Sequence, residues 1–112
     1  MNIIYELKML LVITCHFSYI TDDGKLKFTY LDTKTLDKLT RACTGDYKPY
    51  SKSEFTVKLP GYKNIPEDIS NLVGLTCKIT IQPRNYNFVS NKISGERISG
   101  TTFVLKNIVR AN

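Results

Sequence analysis

One histidine, three cysteines and no tryptophan in 112 residues leave little material for several kinds of chemistry. His16 has no second histidine with which to hold a metal, and on a strand-like run a lone histidine reads first as a structural residue. Cys15, Cys43 and Cys77 are odd in number and widely spaced, which suits neither a disulfide framework nor a zinc ribbon. Free thiols in a reducing, cytoplasmic compartment are expected, with Cys15 and Cys77 as small buried hydrophobes and Cys43 partly exposed at a helix end. Acidic residues are also scarce, ten Asp and Glu against sixteen Lys and Arg, for a net charge of +6. That excess favours an anionic partner. The apolar run Met9-Leu10-Leu11-Val12-Ile13-Thr14-Cys15 is too short for a membrane span and leads into His16-Phe17 rather than a small-residue cleavage site, so no membrane association is expected.

Catalytic constellations are equally thin. There is no glycine-rich phosphate loop ending in Lys-Ser or Lys-Thr, no GxSxG elbow and no HExxH, and Gly95 and Gly100 flank a basic stretch without the strand, glycine loop and helix of a nucleotide fingerprint. The carboxylate pairs have structural roles, Asp22-Asp23 in a turn and Glu67-Asp68 at a helix N-terminus. No catalytic residue, metal ligand or cofactor is expected, and the chain reads as a non-enzymatic binding protein.

What is present is one domain's worth of apolar residues, 42% of the chain, distributed along residues 1–112, too few for a second core. Leu7, Met9, Leu11, Ile13, Cys15, Phe17 and Tyr19 alternate and predict a strand over 7–20. Asp22-Asp23-Gly24 predicts a tight turn, followed by Leu26, Phe28 and Tyr30 alternating with lysines. Thr33 is a candidate cap for a short helix carrying Leu36, Leu39 and Cys43 on one face, with Gly45 as its stop. Phe55, Val57 and Leu59 form a third strand ending at Pro60-Gly61. Pro66, Glu67 and Asp68 open a second helix that Gly74 closes after Val73. Two further strands run from Leu75 to Gln82 and from Phe103 to Arg110. Strand, strand, helix, strand, helix, strand, strand is the order of a mainly β, five-stranded OB-like barrel with two short helices, in which the helix before the fourth strand plugs one end. An α+β antiparallel sheet with helices on one face is the alternative.

The functional signal lies in the segment between the last two strands, where Arg84, Tyr86, Phe88, Lys92 and Arg97 interleave rings with positive charge. Flat exposed bases and a charged backbone require that combination. Tyr86 and Phe88 share a face if the fourth strand continues into this segment. A second cluster, Tyr47, Lys48, Tyr50 and Lys52, repeats the alternation, and Tyr62 with Lys63 extends it. From Asp46 onward ten Lys and Arg face five Asp and Glu, whereas residues 1–45 carry six against five. Charge is therefore concentrated in the half that holds the aromatic loops.

The stretches Leu72-Val73-Gly74-Leu75-Thr76-Cys77 through Pro83-Arg84-Asn85-Tyr86-Asn87-Phe88, and Gly100-Thr101-Thr102-Phe103-Val104-Leu105-Lys106-Asn107-Ile108-Val109, resemble small phage- and virus-type OB-fold single-stranded DNA-binding proteins. In these a glycine opens a strand, a basic and aromatic hairpin follows, and a G-x-x-F-x-L-x-x-I strand closes the barrel. The resemblance covers the C-terminal third. It implies a viral protein of DNA replication, acting in an infected cell, that coats single-stranded DNA with little sequence preference. Many such proteins end in an acidic recruiting tail, whereas this chain ends in Lys106-Asn107-Ile108-Val109-Arg110-Ala111-Asn112, so tail-mediated recruitment is not expected. A protein–protein interaction module with tyrosine hot spots, such as a host-factor inhibitor, and an RNA-binding domain are the competing readings. A homodimer would protect long strand edges, although Lys58 and Lys106 are placed to guard them alone.

Overall fold

The computed structural model describes residues 9–61, 64–90, 92 and 95–111. Among these residues, alternating apolar side chains produce five antiparallel strands: β1 (Leu11–Ile20), β2 (Leu26–Thr29), β3 (Glu54–Val57), β4 (Thr76–Val89) and β5 (Arg97–Arg110), with α1 (Thr33–Ala42) between β2 and β3 and the one-turn α2 (Glu67–Ser70) between β3 and β4. They form a single sheet in the order β3-β2-β1-β4-β5. Its two edges meet at Lys58, whose N–H donates to Phe103 O (2.9 Å) and whose carbonyl accepts from Leu105 N–H (2.9 Å), in a parallel bridge to β5. The cyclic order is thus β1-β2-β3-β5-β4, that of an OB-like barrel, joined at one short contact rather than closed along its length.

The inner face packs Ile13, Cys15, Phe17, Leu26, Phe28, Phe55, Val57, Cys77, Ile79, Ile81 and Phe103, all essentially inaccessible to solvent. Rings bind the edges together. Phe28 stacks on Phe17 at 4.7 Å and on Phe55 at 5.5 Å, Tyr30 stacks on Phe55 at 5.3 Å, and Phe103 of β5 meets Phe55 edge-on at 6.4 Å. Cys15 and Cys77 face each other across β1 and β4 as unpaired thiols, burial holding that of Cys15 up at about 12. Cys43 is also a free thiol and is buried, not partly exposed, because it caps α1 against the core.

Several boundaries differ from those expected. β1 begins at Leu11, Met9 and Leu10 are exposed, and residues 7 and 8 lie outside the described ones. Asp32, not Thr33, caps α1, its carboxylate accepting from Thr35 N–H and from the Thr35 hydroxyl at 3.0 Å each. Asp has the longer reach and arrives already charged at the positive helix end. Leu36 is half-buried, leaving Leu39 and Ala42 as the buried hydrophobic residues of α1. The second helix is a single turn over Glu67–Ser70 with Pro66 as its cap, because Asn71 to Gly74 turn back to meet β1, Gly74 N–H donating to Phe17 O at 2.7 Å. The largest difference lies in β4 and β5. Each runs for 14 residues, so the segment expected to be a loop is a β-ribbon pairing Arg84 with Thr102, Tyr86 with Gly100 and Phe88 with Ile98. β1 pairs with β4 only as far as Ile81. Pro83 therefore sits where β4 has one free edge and needs no donor there.

Candidate functional site

The β4–β5 ribbon has two faces of different character. Residues directly opposite each other share a face, so Arg84, Tyr86 and Phe88 stand together with Thr102, Gly100 and Ile98. The rings of Tyr86 and Phe88 lie 6.1 Å apart, and Phe88 is 51% exposed. The other face carries Asn85, Asn87, Ser99 and Thr101. Arg97 belongs to it and donates to Asn87 Oδ1 at 2.6 Å, so it does not join the aromatic row. Lys92 is exposed at the ribbon tip, where its backbone N–H donates to Ser90 Oγ at 3.2 Å.

The segment after α1 is drawn onto this ribbon. Thr101, fully buried, accepts from Thr44 N–H at 2.9 Å, and its hydroxyl is within reach of Thr44 O (3.0 Å) and Asn85 Oδ1 (2.7 Å). Tyr47 then forms a parallel bridge to β5, its N–H donating to Ser99 O (3.2 Å) and its carbonyl accepting from Thr101 N–H (3.0 Å). Pro49 O accepts from Thr56 N–H at 2.8 Å, which fixes the other end of the segment along β3. This packing depends on Gly100: a Cβ there would lie 2.5 Å from the Tyr86 hydroxyl and 2.7 and 2.8 Å from Tyr47 Cβ and O. The two aromatic clusters, distant in sequence, meet over that glycine. Gly100→Ala should therefore destabilise the fold by about 1–3 kcal/mol and weaken ligand binding as Tyr47 and Tyr86 are pushed apart. Thermal melting and a binding titration check both effects, and a variant with unchanged melting and binding would refute this account of the junction.

Three adjoining hollows follow from this arrangement. The first, about 170 Å³, lies among Lys27, Tyr47, Lys48, Tyr50 and Glu54. The next, about 200 Å³, shares Tyr47, Pro49 and Thr56 with it and adds Lys25 and Lys58. The last, about 580 Å³, shares Lys58 and Thr102 and runs along Arg84, Tyr86, Phe88 and Ile98. Each shares lining residues with the next, so they adjoin in a row across the outer face of β2 and β3 and up the ribbon, and the row is termed the cleft. Among the described residues five cations border it, Lys25, Lys27, Lys48, Lys58 and Arg84, against the single carboxylate of Glu54. Lys48, Lys58 and Arg84 make no ion pair among the described residues, whereas Lys25 pairs with Asp23 at 3.5 Å.

The cleft therefore gathers Arg84, Tyr86, Phe88, Tyr47, Lys48 and Tyr50. Lys52 is exposed beside the turn into β3 and does not line it, and Tyr62 and Lys63 lie outside the described residues. Lys25, Lys27 and Lys58 are not among the binding residues that the sequence picks out. Lys58, expected to guard a strand edge, instead joins β3 to β5 in the middle of the cleft. Their signal was the polar half of the β2 and β3 alternation. Among the described residues no group of three His, Cys, Asp or Glu could hold a metal, and no helix is long and apolar enough to cross a membrane.

No family model and no curated protein matches the chain. Two crystal structures of Rim1, a mitochondrial single-stranded DNA-binding protein from S. cerevisiae, are similar to it in fold. Each is 13% identical over 94% of this chain, covering 95% and 96% of Rim1 with TM-scores of 0.46 and 0.45. At that distance no residue role passes from them to this chain.

Proposed function

We propose that this chain binds single-stranded nucleic acid without catalysis, taking the backbone along Lys48, Lys58 and Arg84 and stacking bases on Tyr47, Tyr86 and Phe88. The observation that carries this reading is the row of adjoining hollows lined by cations and exposed rings from two distant segments. Rings half-open to solvent next to unpaired cations suit splayed bases rather than stacked duplex, whose base faces are hidden. The resemblance of the C-terminal third to phage and viral proteins supports DNA over RNA, and three unpaired thiols are compatible with a reducing compartment.

A titration with oligo-dT, read through quenching of tyrosine fluorescence, tests the proposal directly because no tryptophan interferes. Single strands should bind more tightly than the matching duplex, and oligo-dT more tightly than oligo-U. If four to six phosphates are neutralised, log K should fall against log[salt] with a slope of roughly −3 to −4. Preference for the duplex, or a flat salt response, would overturn the reading.

A further inference from the structure

We propose that the hollow at Glu54 is a base-reading subsite that prefers guanine, a proposal resting on the single-strand reading above. The residues there are unlike those of the rest of the cleft. Glu54 is the one carboxylate among the described residues that line it, and it is held in place rather than free. Lys27 Nζ lies 3.6 Å from Glu54 Oε2 and donates to Thr56 Oγ1 at 2.7 Å, and the Tyr19 hydroxyl reaches the same carboxylate oxygen at 3.5 Å. Both contacts engage Oε2, and among the described residues Oε1 has no partner. Side-chain exposures of 22% for Lys27 and 32% for Glu54 show that neither group is fully solvated.

A phosphate is a poor occupant of such a place. Beside Glu54 the carboxylate repels it and the ammonium of Lys27 is already engaged, while Lys48, the unpaired lysine of the same hollow, is left for the phosphate next to the bound base. A base is a better occupant, since the hollow is bounded by Tyr47 and Tyr50 and measures about 170 Å³. In a single strand the Watson–Crick edge is free to be read. A carboxylate offers only acceptors. Guanine presents two adjacent donors on that edge, N1–H and the N2 amino group. Thymine presents N3–H between two carbonyls, and cytosine and adenine each place a ring acceptor beside their amino group, so all three meet repulsion where guanine meets a second hydrogen bond.

The test uses short oligo-dT strands carrying one central dG, deoxyinosine, dA or dC, titrated against the whole protein. The dG strand should bind roughly tenfold more tightly than oligo-dT, the scale of a bidentate contact. Deoxyinosine, which lacks the N2 amino group, should lose most of that gain. In Glu54→Gln the ratio of dG to dT affinity should collapse towards one. Equal binding of the dG and dT strands overturns the subsite, as does a dG preference that deoxyinosine keeps in full or that survives Glu54→Gln. The inosine comparison needs no variant, so misfolding of Glu54→Gln leaves the subsite testable. Failure of oligo-dT to bind at all would overturn the single-strand reading instead, and binding without base preference would overturn only the subsite.

Discussion

Phe55→Ala is expected to remove about 3–5 kcal/mol of stability, lowering Tm by on the order of 20 °C for a domain of this size. Phe55 is fully buried, stacks on Phe28 and Tyr30 and meets Phe103 edge-on. The partner rings come from β2, the β2–α1 turn and β5, so this one side chain ties both edges of the sheet together. Its loss also loosens the site, since Phe55 anchors in the core the segment whose outward-facing Glu54, Thr56 and Lys58 line the hollows. Phe88→Ala is the control. It removes the same ring from a position half-exposed to solvent with Tyr86 as its ring neighbour, and its melting should stay close to that of the parent. Circular dichroism melts of the two variants check the contrast. Equal losses would place Phe88 in the core and dismantle the cleft.

That contrast also shows where the sequence was legible. Alternation of large apolar residues marks Phe17, Phe28, Phe55 and Phe103 as inward-facing, and the order of elements points to an OB-like arrangement, with an α+β sheet as the alternative. The same alternation fades beyond Gln82, where β4 leaves β1 and has no core to face. Arg84, Tyr86 and Phe88 then follow one another on an open ribbon, and a strand without a buried side does not announce itself through hydrophobic period. The second helix is shorter than its sequence signals predict for a related reason: Pro66 and the acidic first turn signal a start, but the carbonyl of Phe17 captures Gly74 and stops the chain after one turn. Within the site, rings and cations of the two loops stood out by composition. Gly100 stands out only as the glycine that opens the G-x-x-F stretch and not as the meeting point of the two clusters, although a glycine inside a strand commonly marks the close approach of another backbone. Lys25, Lys27 and Lys58 were hidden because lysines on the outer face of a strand are ordinarily only solvated. What turns them into a cleft is the segment Tyr47–Tyr50 laid beside β3, a contact between distant parts of the chain that no local pattern encodes.

Separating stacking from charge gives the second large effect. Tyr86→Ala and Phe88→Ala should each cost about 1–3 kcal/mol in affinity for oligo-dT. Their combination should cost less than the sum if one base spans both rings, which lie 6.1 Å apart and inclined by 34°. Neither substitution removes a charge, so the salt slope should remain that of the parent. Arg84→Ala and Lys58→Ala should behave differently, each reducing the slope by about 0.7 because one fewer counterion is released. Lys58 tests the cleft most sharply, since its backbone joins β3 to β5 while its side chain lines two of the three hollows. Replacing the side chain leaves both backbone hydrogen bonds in place, so a loss of affinity with unchanged melting can be assigned to the ammonium itself. Slopes that fall for the ring variants, or stay fixed for Arg84→Ala and Lys58→Ala, would mean that the strand follows another path across the protein.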